Sequence, residues 1–104
     1  MNDSNTAQLI LERFQAQVVQ DLDALVRDIS TANLEEAGRV AHGLKGAAGL
    51  SAAYSLERVA ADLEQMAHQN NLERASEIVS KLREEVRRCI EEAPKVMERL
   101  THST

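Results

Sequence analysis

Apolar side chains recur at alternating three- and four-residue intervals in four successive segments of this chain, the rhythm of helices that each bury one face. Leu11, Phe14, Val18, Leu22, Leu25 and Ile29 mark the first, expected over about residues 6–30. Ala37, Val40, Leu44 and Ala47 share a face in the second, and Leu56, Val59, Ala60, Leu63, Met66 and Ala67 do so in the third. The fourth carries Leu72, Ala75, Val79, Leu82, Val86, Cys89 and Ala93, an uninterrupted seam suited to packing nearly parallel or antiparallel to its neighbours. No strand-like alternation competes. A chain rich in Ala, Leu, Glu and Arg, with Phe14 and Tyr54 as its aromatics, is poor material for a sheet. The expected fold is all-α, an antiparallel up-down-up-down four-helix bundle. The 104 residues read as one domain, 1–104, with frayed ends at 1–5 and 101–104.

The punctuation between these segments is uneven. Thr31-Ala32-Asn33 ends the first helix, and Asn33 reads as the N-cap of the second, with Glu36 three residues on completing a capping-box pattern. The break between the second and third helices is weakly marked and is placed near residues 51–54. His68-Gln69-Asn70-Asn71 forms the next turn, with Asn71 capping the fourth helix. Asn33-Leu34-Glu35 and Asn71-Leu72-Glu73 look alike because any helix start favours an Asn cap and early acidic residues, so no repeat is inferred. Pro94 removes a backbone donor and predicts a kink or restart, with Val96, Met97 and Leu100 in a short last helix against the bundle end.

Charge excludes several function classes. The net charge is −5 with both signs interleaved, so no basic stripe exists for a nucleic-acid backbone. No stretch approaches the ~20 apolar residues of a membrane span, and the polar first residues do not resemble a signal peptide. A cytoplasmic location is expected. Cys89 is the single cysteine; it cannot form an internal disulfide, and its place in the fourth seam reads as a small hydrophobe rather than a redox or nucleophilic thiol.

All four glycines, Gly38, Gly43, Gly46 and Gly49, fall inside the second helix around His42 and Lys45. Each interior glycine costs about 0.8–1 kcal/mol relative to alanine, against about 5–15 kcal/mol of total stability for a domain. A need other than folding therefore keeps bare backbone beside this histidine. At about 100° per residue, Gly38, Arg39, Lys45, Gly46 and Gly49 lie within about 60° of His42, opposite the core face. The ring is thus expected to stand in solvent with a cation one turn on. A neutral imidazole offers one nitrogen as a nucleophile, and the compact ammonium of Lys45 suits phosphate oxygens. Gly43, Gly46 and Gly49 would let a phosphoryl group and its bearer come close.

The run Ala41-His42-Gly43-Leu44-Lys45-Gly46-Ala47-Ala48-Gly49, with Leu56 and Leu63-Glu64 on the next helix, resembles the histidine-containing phosphotransfer (HPt) domains of multistep phosphorelays. The resemblance covers most of the chain, from Phe14 through the fourth helix. It implies a four-helix bundle whose His42 accepts a phosphoryl group at Nε2 from the aspartate of one response-regulator receiver domain and passes it to another, with Lys45 and Gly46 in support. It also implies that Glu64 accepts a hydrogen bond from the other ring nitrogen and orients the imidazole; the competing reading of Glu64 is a solvated surface carboxylate. The chain departs from the family pattern at Ala52, where many members close the motif helix with glycine. It departs again at His68, which stands where some members carry a basic residue and reads equally as a helix C-terminal residue facing the dipole.

Without a phosphate-cradling glycine loop or an aspartate motif for Mg²⁺, the chain is expected to bind no nucleotide and carry no cofactor, Mg²⁺ being supplied on the partner receiver. Expected partners are receiver domains and a sensor or hybrid histidine kinase. Leu9, Val19 and Val26 are candidates for the docking face, the two valines equally for a widened core. Three alternatives stay open: a receiver-binding module that transfers nothing, a kinase-substrate domain of the chemotaxis type, and a metal site of His42, His68 and Glu64, disfavoured because His42 points outward. The start and end of the chain favour a free-standing carrier, and a complete four-helix core favours a monomer.

Overall fold

The computed structural model describes the backbone of residues 3–102 and the side chains of residues 6–91. Four helices follow one another: α1 (Asp3–Ser30), α2 (Leu34–Leu50), α3 (Tyr54–His68) and α4 (Leu72–His102). α1 packs on α2 and α4, and α3 packs on α2 and α4, so the helices form a closed ring of neighbours in an antiparallel all-α bundle. α1 opens at Asp3, earlier than the spacing of apolar residues predicts.

Each connection is three residues long and built the same way. Ala32, Ala52 and Asn70 adopt a left-handed backbone with φ 57°. The N–H of the following residue returns to the carbonyl five positions back: Asn33 to Asp28 at 2.7 Å, Ala53 to Ala48 at 2.8 Å and Asn71 to Met66 at 3.0 Å. A second bond from the left-handed residue itself completes the Schellman arrangement in each turn. The break that the sequence marks weakly at 51–54 is weak because alanine stands at 52 where glycine would be the usual signal.

Asn33 and Asn71 cap the helices that follow, accepting from the N–H of Glu36 at 3.3 Å and of Arg74 at 3.1 Å, whereas Ala53 offers α3 no side-chain cap. The reciprocal half of the expected capping box is missing. The Asn33 N–H is already bonded to Asp28, and the Glu36 carboxylate pairs with Arg39 instead.

The core runs along the seams that the spacing predicts, with Val18, Leu25, Leu44, Leu56, Leu63, Leu82 and Val86 buried. Two positions on α4 differ. Leu72, expected in the seam, is 37% exposed because it opens the helix at the bundle end, while Ile78 is buried on the flank of the stripe. The restart expected at Pro94 does not occur: α4 continues as one helix to His102. A mid-helix proline forfeits one N–H bond, and intact turns on either side carry the helix past it. The expected packing of Ala93, Val96, Met97 and Leu100 lies outside the described side chains, and part of the expected fraying, at residues 1–2 and 103–104, lies outside the described backbone.

Small residues are frequent where α2 and α3 enter the core: Ala37, Ala41 and Ala48 of α2 and Ala60 and Ala67 of α3 are all buried, and Gly38 lies against Ala67. Small side chains let these two helices lie close, and this is the seam beside which His42 stands. Left-handed alanine costs roughly 1–2 kcal/mol, part of which glycine would give back through its freer unfolded chain. Ala52→Gly is therefore expected to stabilise the protein by about 0.5–1 kcal/mol, read as a rise of roughly 2–8 °C in the thermal midpoint.

Candidate functional site

Helical phase places His42 on the outside of α2, and the ring is 70% exposed. Its Nδ1 lies 2.8 Å from Oε2 of Glu64 on α3. The other oxygen of the same carboxylate, Oε1, accepts from the Lys45 ammonium at 2.7 Å. One carboxylate thus touches two residues of α2 that stand one turn apart, from a helix nineteen to twenty-two positions further along the chain. Glu64 is only 15% exposed and Lys45 is 36% exposed. The solvated-glutamate reading of Glu64 does not describe this arrangement.

The charge state of Glu64 follows from its partners. The Lys45 hydrogen bond foremost, against the opposing effect of burial, and with further help from His42, holds its carboxyl below the ordinary value of 4.5. An ionised carboxylate only accepts hydrogen bonds, so Nδ1 must carry the proton that bridges to Oε2. The neutral ring then keeps its lone pair on Nε2, the nitrogen directed away from Glu64. No hydrogen bond to Nε2 is present among the described residues. The arrangement presents an oriented, solvent-facing nucleophile.

The glycine-rich face of α2 is divided in two. Gly38, Lys45 and Gly49 lie on the flank turned toward α3. Gly38, expected on the open face, is buried, and a methyl there would rest 3.4 Å from the Ala67 Cβ. At Gly49 an added Cβ would overlap the Glu57 carboxylate, the far end of a flexible side chain that could swing aside. Gly43 and Gly46, with Arg39, lie toward the other flank, and an added Cβ at either glycine would meet nothing within 4 Å. None of the four glycines has a positive φ, so what they contribute is the absence of a side chain.

His68 is 73% exposed, and its Nε2 lies 3.8 Å from the same Oε2 that His42 uses, too far for a hydrogen bond. His42, Glu64 and His68 line one groove of about 410 Å³ with Leu34, Gly38, Arg39 and Ala67, at whose rim Arg39 is tied to Glu35 and Glu36. No group of three or more His, Cys, Asp or Glu among the described residues is arranged to hold a metal ion. Of the docking candidates on α1, Leu9 and Val19 are 48% and 41% exposed, while Val26 packs against the core. The exposed Leu50 and Tyr54 at the α2–α3 turn were not singled out by the sequence; each falls at a helix end, where periodicity loses its meaning. Among the described residues no helix is long and apolar enough to cross a membrane.

A family model described as the Hpt domain covers residues 9–93. No curated protein and no solved structure gave a match.

Two outcomes follow from the geometry. A carboxyl whose folded pKa lies below its unfolded one adds stability above pH of about 4.5, and the addition is lost as pH falls through the folded value. Glu64→Gln should therefore be less stable than the native chain near neutrality, and urea titrations in acid should show the difference closing. Gly46→Ala fills open space on a regular helix and should raise stability by about 0.5–1 kcal/mol in the same assay, which would show that folding does not select glycine there.

Proposed function

The chain belongs to the Hpt domain family, whose members transfer phosphoryl groups in phosphorelay signalling together with receiver domains and histidine kinases, and from that premise we propose that His42 is its phosphoryl-accepting residue. One observation carries the reading: the ring is tethered at Nδ1 by Glu64 while the side chain is 70% exposed, on a helix that Gly43 and Gly46 leave bare on its open flank.

In this reading the donor is the aspartyl phosphate of a receiver domain, with Mg²⁺ held on the receiver. The Nε2 lone pair attacks phosphorus, the bond from phosphorus to the aspartyl oxygen breaks, and its electrons return to the receiver's carboxylate. The Nδ1 proton stays in place. The ring therefore becomes cationic as the phosphoryl group arrives, and the Glu64 carboxylate already lies against the nitrogen that shares that charge. Reversal onto the aspartate of a second receiver uses the same contacts, so the direction of flow is set by which partner is phosphorylated. Gly43 and Gly46 let the receiver's loops approach the α2 backbone, and Leu9 and Val19 belong to the docking face. The chain acts as a cytoplasmic monomer between a sensor or hybrid kinase's receiver and an output receiver.

The test is incubation with phosphorylated receiver domains, scored for acid-labile, base-stable phosphate on this chain. The native chain should be labelled, and His42→Gln should lose the label while still binding receivers. Label retained in His42→Gln would place the acceptor elsewhere, binding without any label on the native chain would leave a docking module, and label obtained only from a kinase with ATP would make it a kinase-substrate domain.

A further inference from the structure

Beyond Leu9 and Val19, five large apolar side chains stand exposed among the described residues, and four of them, Ile10, Leu50, Tyr54 and Ile90, gather at one end of the bundle, with Leu72 at the other. Helix lengths explain the gathering. α2 has 17 residues and α3 has 15, whereas α1 has 28 and α4 has 31. At the α-helical rise, the α2–α3 hairpin spans about 25 Å of a molecule 49 Å long. The turn that joins α2 to α3 lies beside Glu85, Arg88 and Cys89 of α4. From there α4 runs on from Ile90 to His102, and α1, antiparallel to it, brings its residues before about 13 to the same level. The two form an arm about 20 Å long that, among the described residues, neither α2 nor α3 reaches.

This arm is half of a bundle. In sequence α4 keeps its three- and four-residue apolar spacing there, through Ala93, Val96, Met97 and Leu100. Ile10 on α1 is 61% exposed. At the base of the arm Leu50 is 93% exposed, next to a groove of about 380 Å³ lined by Ala52, Tyr54, Leu56, Arg88 and Cys89. A single exposed leucine needs no explanation, but apolar side chains collected where two helices outrun their cover mark a contact surface.

We propose that the arm is an interface for a second copy of this chain, the two arms overlapping antiparallel so that the tip of each lies at the other's base, against Leu50 and Tyr54. Four helices then enclose a common core along the overlap, as they do in the body. The fit is self-complementary, because each copy carries both an arm and a base that receives an arm of the same length. An overlap about 20 Å long and two helix diameters wide hides roughly 400 Å² of flat area on each copy. That is short of the ~800 Å² per partner of a standard interface, so the pair is reversible, with a dissociation constant on the order of 10 μM. A lipid surface matches less well: Asp3, Glu12, Glu91, Glu92 and Glu98 outnumber Arg13, Lys95 and Arg99 on the arm, leaving no basic excess for anionic headgroups. His42 lies about 12 Å along α2 from Leu50, outside the overlap. One copy suffices for phosphoryl transfer, and pairing is a concentration-dependent state of the same chain that does not depend on it.

Sedimentation velocity of the full chain over about 1–300 μM tests the pairing. The native chain should pass from monomer to dimer across that range. Ile10→Glu and Leu50→Glu each place a charge in the overlap at a position exposed in the single copy, so each should weaken pairing at least about tenfold while circular dichroism keeps the native helicity. Leu72→Glu, at the opposite end, should leave pairing unchanged. The arrangement is read by mixing a copy spin-labelled through Ser51→Cys, in a Cys89→Ser background, with a nitrogen-15-labelled copy. Paramagnetic broadening should fall on the amides of residues 3–10 and 96–102 of the second copy. A chain that stays monomeric throughout, a dimer that survives both glutamate substitutions, or broadening centred on α2 around His42 would overturn the proposal. A monomer that co-sediments with phosphatidylglycerol vesicles would overturn it too and give the arm to a lipid surface. Failure of His42 to become labelled by receivers would leave all of these outcomes unchanged.

Discussion

The carboxylate of Glu64 crosses a helix seam to touch His42 and Lys45 together, and the crossing depends on how near α3 can come to α2. Small residues permit that approach: a methyl added at Gly38 of α2 would already be in contact with the Ala67 Cβ of α3, and Ala37, Ala41, Ala48, Ala60 and Ala67 are all buried. Larger side chains at Gly38 or Ala67 would press the two helices apart. The chemistry of an exposed histidine is thus fixed by the volume of residues that are themselves inert.

Much of this is legible in the sequence. The periodic seams gave four helices because the period of 3.6 is strict wherever a face is buried, and the phase of α2 alone put His42 outside. The residues that misled are those at which a single helix carries too little information. Gly38 and His42 share an arc on a wheel, but a wheel does not say which flank of the arc a neighbouring helix will cover. Glu64 and Lys45 are nineteen positions apart, and their pairing depends on the vertical register of two helices, which the turn at 51–53 sets. That turn was itself faint in the sequence because Ala52 adopts a conformation usually announced by glycine. At Pro94 the restart that the residue suggests is absent, because one lost N–H bond does not end a helix of this length.

The four glycines now separate by surroundings. Gly38 packs against Ala67, Gly49 lies beside the movable end of Glu57, and Gly43 and Gly46 leave open surface. The case for bare backbone as a means of access therefore rests most firmly on Gly43 and Gly46, each of which costs the helix about 0.8–1 kcal/mol relative to alanine.

His42, Lys45, Glu64 and the groove-lining residues all belong to α2, α3 and the three-residue turn that joins them. The reactive constellation is therefore written into one contiguous hairpin, and contacts within it are among the shortest in sequence separation that this bundle contains. Such local contacts cost little loop entropy and form early when a helical chain collapses. α1 and α4 close the core behind this hairpin and contribute no side chain to the contacts of the imidazole, so substitutions on their outward faces can alter what the surface binds without touching the ring.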